Sequence, residues 1–243
     1  MRILCRDNPY LTEIETRVTV LHEQGSERSF ETEQSVFYPQ GGGQPGDRGT
    51  ALVRSNAIEI VNSIKSPDGL GVLHQVAEES ALPNLGDTLV LRLDWSQRHR
   101  FMRVHTALHL LCSAVGAPVT GGQISAVKGR LDFDLAESPD KQALEEQLNA
   151  LIQADYPVST ETITNAELDA NPDLVRTMSV SPPRGSGTIR MVRIGSGAQT
   201  VDFQPCGGTH VKSTAEIGQI SIGKIEKKGK QNRRVNLLLC DEA

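Results

Sequence analysis

The chain has 243 residues, enough for one large domain or, better, two, and its 37% hydrophobic and 23% charged content suits a globular protein, not a disordered or fibrous one. A formal net charge of −5 and a pI near 5.7 argue against general coating of nucleic acid, which needs an excess of Lys and Arg. The start, Met1-Arg2-Ile3-Leu4-Cys5-Arg6-Asp7, has no apolar core of a signal peptide, and no run approaches the roughly 20 apolar residues of a membrane helix. Cys5, Cys112, Cys206 and Cys240 are too few and too irregular for a disulfide framework, so a cytoplasmic protein is expected.

The first 95 or so residues read as strands. Short β-branched or alternating runs, Thr16 to Leu21, Ser35 to Tyr38, Ile58 to Ile64 and Thr88 to Leu93, are separated by Gly, Pro, Asn and Asp clusters, the pattern of a small barrel or sandwich. Within this half lies Phe37-Tyr-Pro-Gln-Gly-Gly-Gly-Gln44-Pro-Gly-Asp-Arg-Gly49. Three successive glycines cost chain entropy, which a turn or a backbone closely approaching a ligand can justify. The loop lacks the Lys-Ser/Thr ending of a phosphate loop. The amide of Gln44 both donates and accepts, and can orient a polar substrate.

The pattern changes at Asp94-Trp95-Ser96. A helix is predicted over Gln97 to Val115, with Asp94 or Ser96 as cap and Gly116 as stop. Met102, His105, His109 and Cys112 then share one face. A second helix is predicted from Ser138-Pro139 to about Ala154, burying Leu144, Leu148, Leu151 and Ile152. A short helix near Ala166 to Asp169, capped by Thr164, precedes strands at Thr188 to Ile194, Thr200 to Phe203, Ile217 to Ile225 and Arg233 to Cys240. The last two can pair as a hairpin through Gly229.

His105-Thr-Ala-Leu-His109 sets two imidazoles one helical turn apart, a pattern that a buried core also tolerates. About a hundred residues later, Cys206-Gly-Gly-Thr-His210 offers a thiolate and a third imidazole across a glycine turn. One sulfur and three nitrogens suit zinc, and four protein ligands are the usual mark of a closed, structural site. In zinc peptidases the residue after the first histidine of such a helical pair is a glutamate base, but here it is Thr106, so a peptidase is not expected. Between Lys224 and Arg234, the cations Lys224, Lys227, Lys228, Lys230, Arg233 and Arg234 outnumber the single Glu226. That patch fits either a nucleic-acid contact or a strand edge guarded by charge.

Three stretches, FYPQGGGQPGDRG (37–49), DWSQRHRFMRVHTALHLL (94–111) and PCGGTHVKSTAEIG (205–218), resemble the editing domain of alanyl-tRNA synthetase, and the chain is similar to its freestanding relatives, the AlaX proteins. The resemblance implies an α+β chain: a small β-barrel over 1–93 carrying the glycine loop, then a two-layer, zinc-binding editing domain over 94–243. It implies His105, His109, Cys206 and His210 as zinc ligands, and trans-editing as the activity, the hydrolysis of serine first, with glycine as a second candidate, from the tRNA for alanine. Ser35, Gln44 and Thr209 are the candidate residues for positioning the substrate, and Lys227, Lys228, Lys230, Arg233 and Arg234 for contacting tRNA. Ser35 stands where family members often carry threonine, so the hydroxyl is kept and a methyl is lost. The segment 176–187 maps to no function and is read as a loop near the tRNA. Two alternatives stay open: a zinc-dependent tRNA-binding module without chemistry, and editing of serine on the tRNA for threonine.

Overall fold

The computed structural model describes residues 1–25, 27–178 and 187–240, which divide into two compact units, Met1–His99 and Arg100–Ala243. The division falls inside helix α1 (Trp95–Val115). The fold is α+β, and among the described residues no helix is long and apolar enough to cross a membrane.

The first unit is a closed antiparallel barrel. Its strands are β1 (Glu13–Gln24), β2 (Glu27–Thr32), β3 (Gly49–Val53), β4 (Asn56–Lys65), β5 (Val72–Val76) and β6 (Thr88–Leu93), neighbours in the order β1-β2-β5-β4-β3-β6, with β6 returning to β1. Among the described residues, closure leaves the barrel itself without an edge strand to pair with other chains. Alternate residues point inward, so Ile58 and Ile60 on β4 and Leu89, Leu91 and Leu93 on β6 meet Phe30, Phe37 and Val72 in one core.

The run Ser35 to Tyr38, expected as a strand, pairs only at its start, where Gln34–Ser35 runs parallel to Arg2–Ile3. Side chains take the backbone groups that a ladder would have used. The Phe37 amide donates to Ser35 Oγ (3.0 Å), the Tyr38 amide to Asp47, and the Val36 carbonyl accepts from Arg98 (2.8 Å). Arg98 has no exposed side chain, and its guanidinium also bonds both oxygens of the buried Asp47 and the Pro9 carbonyl. One ion pair thus ties the glycine stretch to the start of α1.

In the second unit, β7 (Val119–Ile124), β8 (Lys128–Asp134), β12 (Ile220–Gly229) and β13 (Asn232–Leu239) form an antiparallel sheet in the order β12-β13-β8-β7. The strands β9 (Val158–Thr164), β10 (Thr188–Ile194) and β11 (Asp202–Pro205) form a second, antiparallel sheet with β10 in the middle. The helix α1 lies close on β8, where a Cβ on Gly129 would meet Val104 and Leu108 at under 3 Å. The helix α2 (Lys141–Gln153) covers the open edge of β12: Asn149 bonds both the amide and the carbonyl of Ile220, and Glu145 accepts from the Ile222 amide. Its cap is Asp140, which accepts from the Ala143 amide, not the expected Ser138-Pro139, and Leu151 is only half-buried. The helix α3 (Asn165–Ala170) begins with a full capping box between Thr164 and Glu167. The second predicted late strand starts two residues later than expected, behind a 3-10 turn at Gly197–Gln199, and the final hairpin pairs Gly229 with Asn232. Much of the segment 176–187, residues 179–186, lies outside the described residues.

Removing one partner of the Asp47–Arg98 pair strands a buried charge, which costs about 3–5 kcal/mol. Denaturant unfolding of Arg98→Met should show that loss, and Asp47→Leu combined with Arg98→Met should recover part of it; additive losses would contradict the pairing.

His74 is fully buried between Phe30 and Phe37, accepting from the Ser35 hydroxyl at Nε2 (2.8 Å) and donating from Nδ1 to the Phe30 carbonyl (3.1 Å). Burial holds it down at about 4, against an ordinary 6.5. The unfolded chain therefore binds this proton first, so stability is complete above about pH 6.5 and falls as pH drops toward 4. By pH 4.5 the loss should be on the order of 2–3 kcal/mol, measured as the difference in pH slope between wild type and His74→Gln. Equal slopes would exclude it.

Candidate metal centre

All four ligand candidates lie in the second unit. His105 and His109 sit one turn apart on α1, which α-helical geometry places on one face. Cys206 and His210 come from the loop after β11, so a helix and a loop a hundred residues apart supply two donors each. The four donor atoms lie within 4.8 Å of one another, with Cys206 Sγ 3.5 Å from His105 Nε2 and 3.3 Å from His210 Nε2. The three histidines are buried and Cys206 is half-buried. This group can hold a metal ion.

The loop is fixed from behind. Arg190 on β10 donates through Nη1 to the carbonyls of Cys206 (2.6 Å) and Gly208 (3.1 Å), while the Cys206 amide returns a bond to the Arg190 carbonyl (3.2 Å). The Gly208 amide points at Cys206 Sγ (3.4 Å), a contact that favours a thiolate. Behind the histidines, Asp202 Oδ2 lies 2.8 Å from His109 Nδ1, and Thr106 Oγ1 lies 3.1 Å from His210 Nδ1.

The electrostatics favour a cation at the centre. Burial pushes the Cys206 thiol up, but the imidazoles of His105, His210 and His109 outweigh it and hold the thiol well below its usual range. Burial lowers His210, and the neighbouring His105 lowers it further. Burial also pulls His109 down, yet Cys206 and Asp202 more than offset that and carry it to about 10. One position next to two anions therefore attracts positive charge, whether a proton or a metal ion. Cys112, one turn further along α1, behaves oppositely: burial, with Asp202 adding to it, pushes its thiol up to about 11. Among the described residues no cysteine is in a disulfide, and Cys206 is the one whose surroundings favour a thiolate.

The other candidates fall as follows. Thr209 is buried between the two loop ligands. Ser35 and Gln44 are buried in the first unit. The Ser35 hydroxyl is held between His74 and the Phe37 amide. Gln44 closes a two-residue turn with reciprocal backbone bonds to Gly41, both 3.0 Å, and Gly42 and Gly43 at its tip have φ of 58° and 82°. Positive φ at both central residues is the reason for glycine there. In the basic stretch, Lys224, Lys227, Lys228 and Lys230 are exposed, and Lys228 pairs with Glu226 (2.8 Å). Arg233 is buried and bonds the carbonyls of Gly229, Asn232 and Ala136, and Arg234 pairs with Asp132 (2.7 and 2.8 Å). Those two side chains hold the hairpin.

Sequence reading missed Asp202, Gln204 and Arg190. A signal for the first two existed: counting back from Cys206 in steps of two gives Gln204 and Asp202 on one strand face.

Residues 189–236 match the family described as threonyl and alanyl tRNA synthetase second additional domain. The chain is similar to an alanyl-tRNA editing protein AlaX-M of Methanosarcina barkeri, 34% identical over 86% of this chain and 88% of that one. It is 30% identical to an alanyl-tRNA editing protein AlaX-M of Methanosarcina acetivorans, over 96% of both chains. It is also 34% identical to an alanine–tRNA ligase of Pyrobaculum neutrophilum, over 80% of this chain but only 22% of the ligase.

Proposed function

We propose that this chain, which belongs to the AlaX family of alanyl-tRNA editing proteins, is a zinc-dependent hydrolase that removes serine, and secondarily glycine, from the tRNA for alanine. The observation that carries the reading is the convergence of His105, His109, Cys206 and His210 in a chain matched to its editing relatives nearly end to end. Zinc fits the donors. Tetrahedral bonds of about 2.3 Å to sulfur and 2.0–2.1 Å to nitrogen put sulfur and nitrogen about 3.6 Å apart, close to the observed 3.3 and 3.5 Å. The Cys206 thiolate and the Asp202 carboxylate, the latter also faced by Arg176 at 3.8 Å, set two negative charges beside the ion.

When bound, zinc supplies a Lewis acid that anchors and polarises the substrate's terminal adenosine or amino acid. The rest falls to the chain. An aminoacyl ester is already activated, so positioning and stabilisation of the developing oxyanion suffice for hydrolysis. Asp202 lies behind His109 and is buried, so it orients a ligand and is no general base. A hydroxyl or amine of the substrate itself is left to activate the water. Serine differs from alanine by one hydroxyl, and a site that bonds that hydroxyl rejects alanine because its own polar atoms would be left unpaired. Thr209 and Gln44 are the proposed readers of that group. Ser35 acts one step back, through its bond to the Phe37 amide at the root of the glycine loop. The exposed Lys227, Lys228 and Lys230 present charge to the tRNA, with Arg233 and Arg234 shaping the hairpin that carries them.

The test is release of serine from the tRNA for alanine, run beside the same tRNA carrying alanine and beside serine on the tRNA for threonine. Serine on the alanine tRNA should be hydrolysed and correctly charged alanine spared. Cys206→Ala should lose both zinc and activity, whereas Gln44→Ala and Ser35→Ala should lose activity and keep zinc. Full activity in zinc-free Cys206→Ala contradicts the reading. Tight tRNA binding without serine release would make the protein a binding module.

A further inference from the structure

Two contacts behind the metal ligands decide which ring nitrogen two of the three histidines present. His109 Nδ1 lies 2.8 Å from Asp202 Oδ2, and Asp202 is 1% exposed at the start of β11. A carboxylate only accepts, so Nδ1 carries a proton, and Nε2 is the nitrogen whose proton a bound ion would replace. Gln204, two residues on and on the same strand face, donates to that same oxygen at 2.9 Å and keeps the carboxylate in place.

His210 is served differently. Its Nδ1 is 3.1 Å from Thr106 Oγ1, a fully buried hydroxyl. That hydroxyl has one proton, and it is directed 2.9 Å to the Met102 carbonyl one turn back in α1. Toward His210 the oxygen can then only accept, as it also does from the Val211 amide at 3.3 Å. His210 is therefore protonated on Nδ1 too, and its Nε2 is the atom facing Cys206 Sγ at 3.3 Å. Thr106, the residue that stands where a zinc peptidase helix carries its glutamate base, is turned toward the second pair of ligands instead of toward a water.

We propose that Thr106 and Asp202 are positioning residues of the metal site: they fix His210 and His109 as Nδ1–H tautomers and hold both Nε2 atoms at the ion. The inference rests on the metal reading above, and it concerns residues that neither motif contains as ligands. Partners of this kind typically carry 10–100-fold in metal affinity.

The experiment uses the full chain loaded with Zn2+, with 15N-labelled histidine, and reads both tautomers by long-range nitrogen–proton correlation and zinc affinity by competition with a chromophoric chelator. The protons of His109 and His210 should sit on Nδ1. Thr106→Val, which keeps the shape and removes the hydroxyl, and Asp202→Ala should weaken zinc binding by roughly 10–100-fold. Thr106→Ser, which keeps the hydroxyl and loses the methyl, should bind zinc as the wild type does, a rescue that a packing role would not give. Asp202→Asn, which keeps the shape of the site, should fall between the wild type and Asp202→Ala. Nε2–H tautomers, or wild-type affinity in both Thr106→Val and Asp202→Asn, would overturn this inference and leave the metal site standing. A wild-type protein that binds no Zn2+ would overturn the metal reading itself.

Discussion

A half-buried thiolate, a buried carboxylate and three buried imidazoles gathered within a few ångströms form an arrangement that is costly unless a cation sits among them. Cys206, His105, His109 and His210 are brought within 4.8 Å, with Asp202 behind one ring. The surroundings are organised around that requirement. The α1 helix supplies two rings at a fixed spacing, Arg190 pins the carbonyls of the loop that supplies the other two donors, and the sheets behind them are stitched at their edges by side chains. Because the two ligand pairs come from elements far apart in sequence, binding an ion also closes a long-range contact in the fold, and metal affinity and stability are linked.

The barrel unit has its own constraint. Asp47, in the glycine stretch, and Arg98, at the start of α1, form a buried pair that also draws in the carbonyls of Val36 and Pro9. This pair joins two of the three motif segments, beside the bond from the Asp94 amide to the Arg48 carbonyl (2.7 Å), which explains residues in both that touch neither metal nor turn. The pair holds the loop rigid where strand pairing stops, so the exposed tip at Gly42–Gly43 is presented from a fixed base.

Much of this was legible in the sequence because it follows local rules. The four candidate ligands announce themselves by spacing, α3 by Thr164 as its cap, and β10 by its β-branched run, which is matched residue for residue from Thr188 to Ile194. What escaped was set by tertiary contacts. The Ser35 to Tyr38 run reads as a strand by composition, yet Asp47 and Arg98 capture its backbone groups. Strand β7 carries two glycines and β9 is mostly polar on both faces, so neither shows the alternation that marked the others. The basic stretch looked like six equivalent cations, but Arg233 and Arg234 are spent on carbonyls and on Asp132, which no charge count reveals. The strand period back from Cys206 marks the face that carries Asp202, but its contact with His109, like that of Thr106 with His210, exists only once α1 lies beside β11 and the loop after it.

The account stands or falls on the ion and its ligands. X-ray absorption at the zinc edge, on protein purified without added metal, measures both at once. It should find one zinc per chain with a single sulfur at about 2.3 Å and nitrogen ligands at about 2.0–2.1 Å. A shell of oxygen and nitrogen without sulfur, or protein that edits without any bound metal, would contradict it.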